Sequence, residues 1–137
     1  MSELPLPNPW KRLAILAAVR ECDCHYEWGV MNLSAVDEGV RPEAIALIAD
    51  KAPLDAFAPE EAKVVRFVRE LLRDRWVSQQ AFDDARGIFG DTGLVQMVGA
   101  IGYYGMIGLT LNCFELEPLP HFQPPPWTKN WVAGRHV

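Results

Sequence analysis

Residues 21–32 read Glu-Cys-Asp-Cys-His-Tyr-Glu-Trp-Gly-Val-Met-Asn, and they are the densest group of reactive side chains in the chain. The stretch continues the preceding helix or follows a break near Cys22. If it is helical, residues three or four apart are neighbours, so Cys24, Glu27 and Met31 lie on one stripe. The adjacent stripe then holds His25, Trp28 and Asn32. The stretch therefore predicts a helix with a chemically active face.

The chemistry of this face depends on how the thiol and the carboxyl group influence each other. A carboxylate one helical turn from Cys24 favours the neutral thiol rather than the reactive thiolate. If Glu27 is buried and protonated, it can instead donate a proton to a substrate or to the sulfur. Two structural interpretations stay open beside these. Cys24 is then a small buried hydrophobic residue, and Glu27 is an ion-paired group whose partner is Lys11, Arg12 or Arg20.

Three sequence blocks follow one another in this part of the chain. Residues 24–28 read Cys-His-Tyr-Glu-Trp, residues 35–40 read Ala-Val-Asp-Glu-Gly-Val, and residues 42–45 read Pro-Glu-Ala-Ile. Their order resembles the carboxymuconolactone decarboxylase family, which shares its fold with the alkyl hydroperoxidase D-like proteins. The likeness continues through residues 77–78, Phe82, residues 102–104 and residues 111–112, and it covers roughly residues 9 to 118. It implies an all-α, compact helical bundle of about six helices.

The redox members of this family differ from the chain at most of their reactive positions. They carry a Glu, then eleven residues, then Cys-x-x-Cys, then a His four residues later. The corresponding positions here are Arg12, Cys24, Glu27 and Met31. Because only Cys24 matches, the resemblance implies the fold more strongly than the peroxidase chemistry.

From the resemblance we expect a cofactor-independent, lyase-type enzyme that acts on a small organic acid, lactone or related compound. Glu27 is then the catalytic acid or base, with Cys24 and Tyr104 as the other catalytic residues. The expected substrate-binding side chains are His25, Tyr26, Trp28, Met31 and Tyr103. One alternative is a peroxide-reducing thiol enzyme that uses Cys24, with Cys22 or Cys113 as the resolving thiol. Another is a catalytically silent relative that binds or assembles.

Composition limits the possible partners. A chain of 137 residues with 50% hydrophobic residues is long enough for one domain with a core. Its net charge of -5 argues against a nucleic-acid partner. Three cysteines do not form a disulfide framework, and residues 1–5 do not resemble a signal peptide, so we expect a cytoplasmic protein. His25 has no second histidine at helical spacing, so we expect no metal. The resemblance also implies a homo-oligomer: a dimer, trimer or hexamer.

Capping signals divide the chain into helices. The first begins at Asn8-Pro9 and ends near Arg20, and the second ends at Gly39. Later helices are predicted from Arg41-Pro42 to about Lys51, from Pro59 onward, from Ser78 to Gly90, and from Asp91 to about Leu116. No stretch alternates as a strand would. We therefore expect a lead at residues 1–8, a helical domain at 9–118 and a Pro- and Trp-rich arm at 119–137.

The last helix and the arm each allow two interpretations. Residues 92–114 carry no charge and are long enough to span a bilayer, but polar side chains interrupt them, so we expect a buried helix and no membrane. Five glycines in this segment, each costing up to about 1 kcal/mol relative to Ala, indicate a closely packed neighbouring helix or room for a ligand. The arm, with Trp127 and Trp131, is either a disordered end or a segment laid over a neighbouring subunit.

Overall fold

The structure, a computed structural model, describes residues 8–116 and Trp127. Within that part of the chain every regular element is helical, which confirms the prediction of an all-α fold. A 3₁₀ turn at Leu54–Ala56 and a π turn at Glu70–Asp74 connect the longer helices. The five α-helices are α1 (Asn8–Glu21), α2 (His25–Leu33), α3 (Pro42–Ala49), α4 (Pro59–Arg69) and α5 (Gln79–Cys113).

Helix α1 lies at the centre of the domain. Every side chain from Leu13 to Val19 is at most 3% exposed, so this helix is apolar around its whole circumference. It packs against α4, α5, α2 and α3. The sequence had indicated the glycine-rich last helix as the buried central one, and that expectation is wrong. A helix surrounded by neighbours must be apolar on all sides, and α1 meets that condition.

The two predicted helices after residue 78 form one element, α5, which is why the described chain has five α-helices rather than six. The Ser78 side chain accepts the Ala81 N–H, as a helix cap does. Helical dihedrals are interrupted only at Gly90, with φ 73° and ψ 173°, at the predicted boundary. Glycine adopts this positive φ without steric cost, so the axis changes direction there while helix continues on both sides.

Helix α2 is shorter than predicted. It ends at Leu33, and residues 34–39 form turns before α3 begins. The predicted left-handed glycine is present: Gly39 has φ 96°, and a Cβ placed there would lie 3.2 Å from the Cγ atom of Pro9. The turn segment therefore closes back on the first turn of α1, which fixes the position of α2 against the central helix.

Helix α5 is covered on one side only. By length and composition it is the one helix in the described residues that is apolar enough to cross a membrane, and a third of its most apolar window is buried. Gly105 and Gly108 are buried, whereas Gly99 and Gly102 are exposed with nothing within 4 Å of a Cβ placed on them. Close helix packing therefore accounts for the first pair of glycines but not for the second.

Candidate functional site

The junction between α1 and α2 positions the residues of interest. The Cys24 N–H donates to the Val19 carbonyl oxygen at 3.3 Å, and the Asp23 N–H donates to the Arg20 carbonyl oxygen at 3.1 Å. This pair of hydrogen bonds is a Schellman motif, with Asp23 in the left-handed conformation at φ 49°. The chain therefore breaks between α1 and α2, and Cys22 and Cys24 both lie in the connection rather than on one helix.

Cys24 occupies the N-cap position of α2 and is completely buried. Burial is the largest influence on its thiol and raises its pKa to about 11. The backbone N–H groups of Glu27 and Tyr26 lower the pKa of this thiol, and the Glu27 carboxylate raises it. Burial and the neighbouring carboxylate outweigh the helix N-terminus, so Cys24 is a neutral thiol at physiological pH.

Glu27 is the unusual group of the junction. It is 4% exposed, and its Oε2 atom is buried without a hydrogen-bond partner among the residues that the structure describes. Burial raises the pKa of its carboxyl group to about 7. Because a buried carboxylate without compensation is costly, the proton binds at a much higher pH than on an exposed glutamate.

Glu61 shows what the rest of the domain does with a buried carboxylate. It is 5% exposed, much like Glu27. Arg41 donates two hydrogen bonds of 2.8 Å to it, and the Ala58 N–H donates a third of 3.0 Å. These bonds, led by the one from Arg41, lower the pKa of Glu61 despite its burial. The raised pKa of Glu27 therefore reflects the lack of such a partner and not burial alone.

The cations that the sequence offered as partners for Glu27 are engaged elsewhere. Arg12 donates two hydrogen bonds of 2.8 Å to Glu38 and places a third nitrogen 2.8 Å from the Met31 sulfur. Arg20 donates to the Ala49 carbonyl oxygen at 2.8 Å and forms an ion pair with Asp23. The ion-paired interpretation of Glu27 therefore has no support from these two arginines.

Helix α5 forms the opposite wall of the site. A Cβ atom placed on Gly108 would lie 3.3 Å from the Cys22 Cβ, 3.4 Å from the Cys24 Cβ and 3.5 Å from the Glu27 Oε2. The Asn112 side-chain amide donates to the Cys22 carbonyl oxygen at 2.7 Å. The missing side chain at Gly108 therefore lets α5 approach both cysteines and the carboxyl group, and Asn112 fixes its register.

Tyr104 completes this side of the site, as the sequence predicted. Its side chain is half-buried, and burial is the largest cause of its raised pKa. Arg12 lowers the pKa of this phenol, whereas the Glu27 carboxylate raises it, so the two acidic groups sense each other's charge. The phenol stays protonated at neutral pH and is a hydrogen-bond donor beside the Glu27 carboxyl group.

The other predicted residues lie on a separate face of α2. Trp28 is buried against Trp127, with ring centroids 4.8 Å apart, and His25 lies 5.9 Å from the same indole. The Arg20 guanidinium lies 4.1 Å from the Trp127 ring centroid. Trp127 of the arm therefore packs against its own chain, while Trp131 lies outside the described residues. Burial lowers the pKa of His25, the largest of its causes.

The predicted residues thus separate into two groups. Cys24, Glu27 and Tyr104 come together at α5, and Met31 is joined to them through Arg12. His25 and Trp28 face Trp127, Tyr26 is half-buried, and Tyr103 is 49% exposed. Sequence reasoning missed Asn112 as an anchor, and the only signal was an amide in an otherwise apolar helix.

Two further features lie outside this group. A cleft of about 490 Å³ opens beside the first turn of α1, between Pro9, Trp10, Val40 and Pro59, and does not include Glu27. No cluster of three or more His, Cys, Asp or Glu side chains in the described ranges is arranged to hold a metal ion. Comparison of the chain with family models, with curated proteins and with solved structures finds no match.

Proposed function

We propose that this chain is a cofactor-independent enzyme of the carboxymuconolactone decarboxylase-like type, with Glu27 as its catalytic acid or base. The observation that carries the proposal is the buried, unpartnered Oε2 atom of a carboxyl group whose pKa is about 7. A group with this pKa is populated in both protonation states near neutral pH, which is the condition under which general acid–base catalysis is most efficient.

The neighbouring side chains supply the other parts of an acid–base site. Tyr104 is a protonated phenol on the side of α5 that faces the junction, and it donates a hydrogen bond to a substrate oxygen. Glu27 then removes a proton from, or returns one to, the atom next to that oxygen. Cys24 contributes a neutral, apolar wall. A small organic acid or lactone is the substrate class that the resemblance at residues 24–28 implies.

Thiol peroxidase chemistry is less well supported. A peroxide-reactive cysteine needs a thiolate, and the buried Cys24 thiol with a pKa of about 11 is almost entirely protonated at pH 7. Cys22 is half-buried, and burial also raises the pKa of its thiol. Acid–base chemistry at Glu27 therefore uses the group whose protonation changes near neutral pH, whereas the peroxidase alternative requires one whose protonation does not.

The test combines a titration with a reaction screen. The carboxyl carbon of Glu27 is followed by ¹³C NMR against pH, with Glu27→Gln used to assign the resonance, and a panel of small lactones and 2- and 3-oxo acids is screened for turnover. We expect titration near pH 7 and turnover that Glu27→Gln lowers on the order of 100-fold or more. Glu61→Gln is the matched control, since it removes another buried carboxyl group.

Three results count against the proposal. Titration of Glu27 below about pH 5 removes its physical basis. Turnover that survives Glu27→Gln unchanged removes its catalytic role. Equal losses in Glu27→Gln and Glu61→Gln show that activity follows stability rather than the identity of the acid, and they count against the assignment as well.

A further inference from the structure

The outward side of α5 is an apolar surface without a partner in the described chain. We call it the outer face, and its large side chains are 43 to 74% exposed. No charged residue occurs between positions 92 and 114, so nothing polar of that kind interrupts it. The inner face of the same helix is committed to contacts with α1, α4 and α2. The outer face consists of Val95, Val98, Tyr103, Met106 and Leu109.

The exposed area is large for a single chain. The C-terminal residues Phe114 and Leu116 add to it with 75% and 51% exposure. With about 150–250 Å² for a large side chain, these seven residues leave on the order of 800 Å² of mostly apolar surface uncovered. The largest apolar patch on a typical monomer is about 300–600 Å², whereas a stable protein interface buries about 800 Å² on each partner. The uncovered surface therefore has the size of an interface.

The arrangement of side chains on the outer face is self-complementary. Val95 and Leu109 lie seven residues before and after Gly102, and Val98 and Met106 lie four before and after it. An antiparallel copy of the helix, crossing at Gly102, places each valine opposite the larger side chain of its pair. A Cβ on Gly102 would meet nothing within 4 Å, so two backbones can approach closely at that point.

The charges around the outer face argue against a membrane as the partner. Asp91 and Glu115 lie at its two ends, and no Lys or Arg occurs between residues 87 and 116. Helices that lie on membranes carry cations that bind anionic lipids, and the chain as a whole has a net charge of -5. A second copy of the same uncharged face needs no such charges.

We propose that the outer face of α5 pairs antiparallel with the outer face of a second copy, about a two-fold axis at Gly102. Both partners then present the same patch, as two-fold symmetry requires. The pairing also reaches the candidate site. Tyr103 lies at the edge of the outer face and contacts the Tyr104 ring edge-on, with centroids 5.4 Å apart. Burial of Tyr103 in the dimer holds the Tyr104 phenol in place, although the dimer itself does not depend on the proposed function.

The test measures association of the full chain by sedimentation velocity up to about 100 µM, a concentration at which an interface of this size associates. The variant is Leu109→Glu, and the control is Val36→Glu, an equally conservative site because Val36 is 52% exposed and outside the outer face. We expect dimers of the wild type and of Val36→Glu, and a dimer at least about 30-fold weaker for Leu109→Glu, as for a central interface residue. Circular dichroism verifies that both variants fold.

A crosslink tests the position of the axis. In a Cys113→Ser background, Gly102→Cys is expected to form an intermolecular disulfide under mild oxidation, whereas Trp76→Cys, at a 78% exposed site away from α5, is not. A monomeric wild type at the highest concentration overturns the proposal. So does a dimer that neither Leu109→Glu nor the crosslink senses, which indicates a different surface. Binding of the wild type, but not of Leu109→Glu, to phosphatidylcholine–phosphatidylserine vesicles assigns the face to a membrane and also overturns it.

Discussion

Replacement of Glu27 by Gln is expected to remove a specific pH dependence of stability. Burial raises the pKa of Glu27 to about 7 from an ordinary value of 4.5. The folded state therefore holds this proton more tightly than the unfolded state, so the stabilisation is complete below pH 4.5 and is lost as the pH rises through 7. The full difference is about 3 kcal/mol. Glutamine is neutral at every pH, so Glu27→Gln lacks this loss.

The measurement is the free energy of unfolding from urea denaturation of both proteins at pH 4.5, 6 and 8. Relative to the wild type, Glu27→Gln gains about 3 kcal/mol between the lowest and the highest pH. This change with pH is the test, because a buried amide shifts both ends equally. Glu61→Gln is the control with the opposite sign, since Arg41 lowers the pKa of Glu61 and the wild type is favoured at high pH. Parallel pH profiles for the wild type and Glu27→Gln refute the reasoning.

Three further predictions follow from contacts at the same junction. At pH 8, iodoacetamide is expected to label the exposed Cys113 in the native protein but Cys24 only after unfolding, because Cys24 is fully buried with a pKa of about 11; equal labelling rates by mass spectrometry contradict this. Gly108→Val is expected to lose about 1–3 kcal/mol of unfolding free energy from overpacking, since its Cβ would lie 3.3 to 3.5 Å from three side-chain atoms. Gly87→Ala, where the Cβ meets nothing within 4 Å, should instead gain up to about 1 kcal/mol, and similar losses for both contradict the packing argument. Trp127→Ala is expected to lose about 1–2 kcal/mol with its aromatic and cation–π contacts, and an unchanged urea midpoint shows that the indole does not dock.

Much of the helical plan could be predicted because its signals are local. Asn8-Pro9, Pro42 and Ser78 begin helices through caps and fixed φ angles that need no tertiary context. Gly39 and Gly90 mark changes of direction because only glycine adopts positive φ freely. The break before α2 lacked this signal, since the left-handed residue there is Asp23. Its position is fixed by the Schellman hydrogen bonds and by the Arg20 ion pair.

The central helix could not be identified from the sequence, because both α1 and α5 are apolar. The sequence favoured α5, but the structure surrounds α1 with four helices and leaves one side of α5 uncovered. Hydrophobicity shows that a surface avoids water, but it does not show which neighbour covers it. The arm was similarly ambiguous, and the docking of Trp127 on Trp28 depends on tertiary contacts alone.

By itself, the sequence determined the all-α class, most helix boundaries and the stripe that brings Cys24 and Glu27 together, because each depends on residues within a few positions of one another. The tertiary structure decided the chemistry of that stripe. Arg12 is held by Glu38, and Gly108 brings α5 against the Glu27 carboxyl group. A carboxyl pKa is set by burial and by charges within a few ångströms, and those neighbours come from helices far apart in the chain.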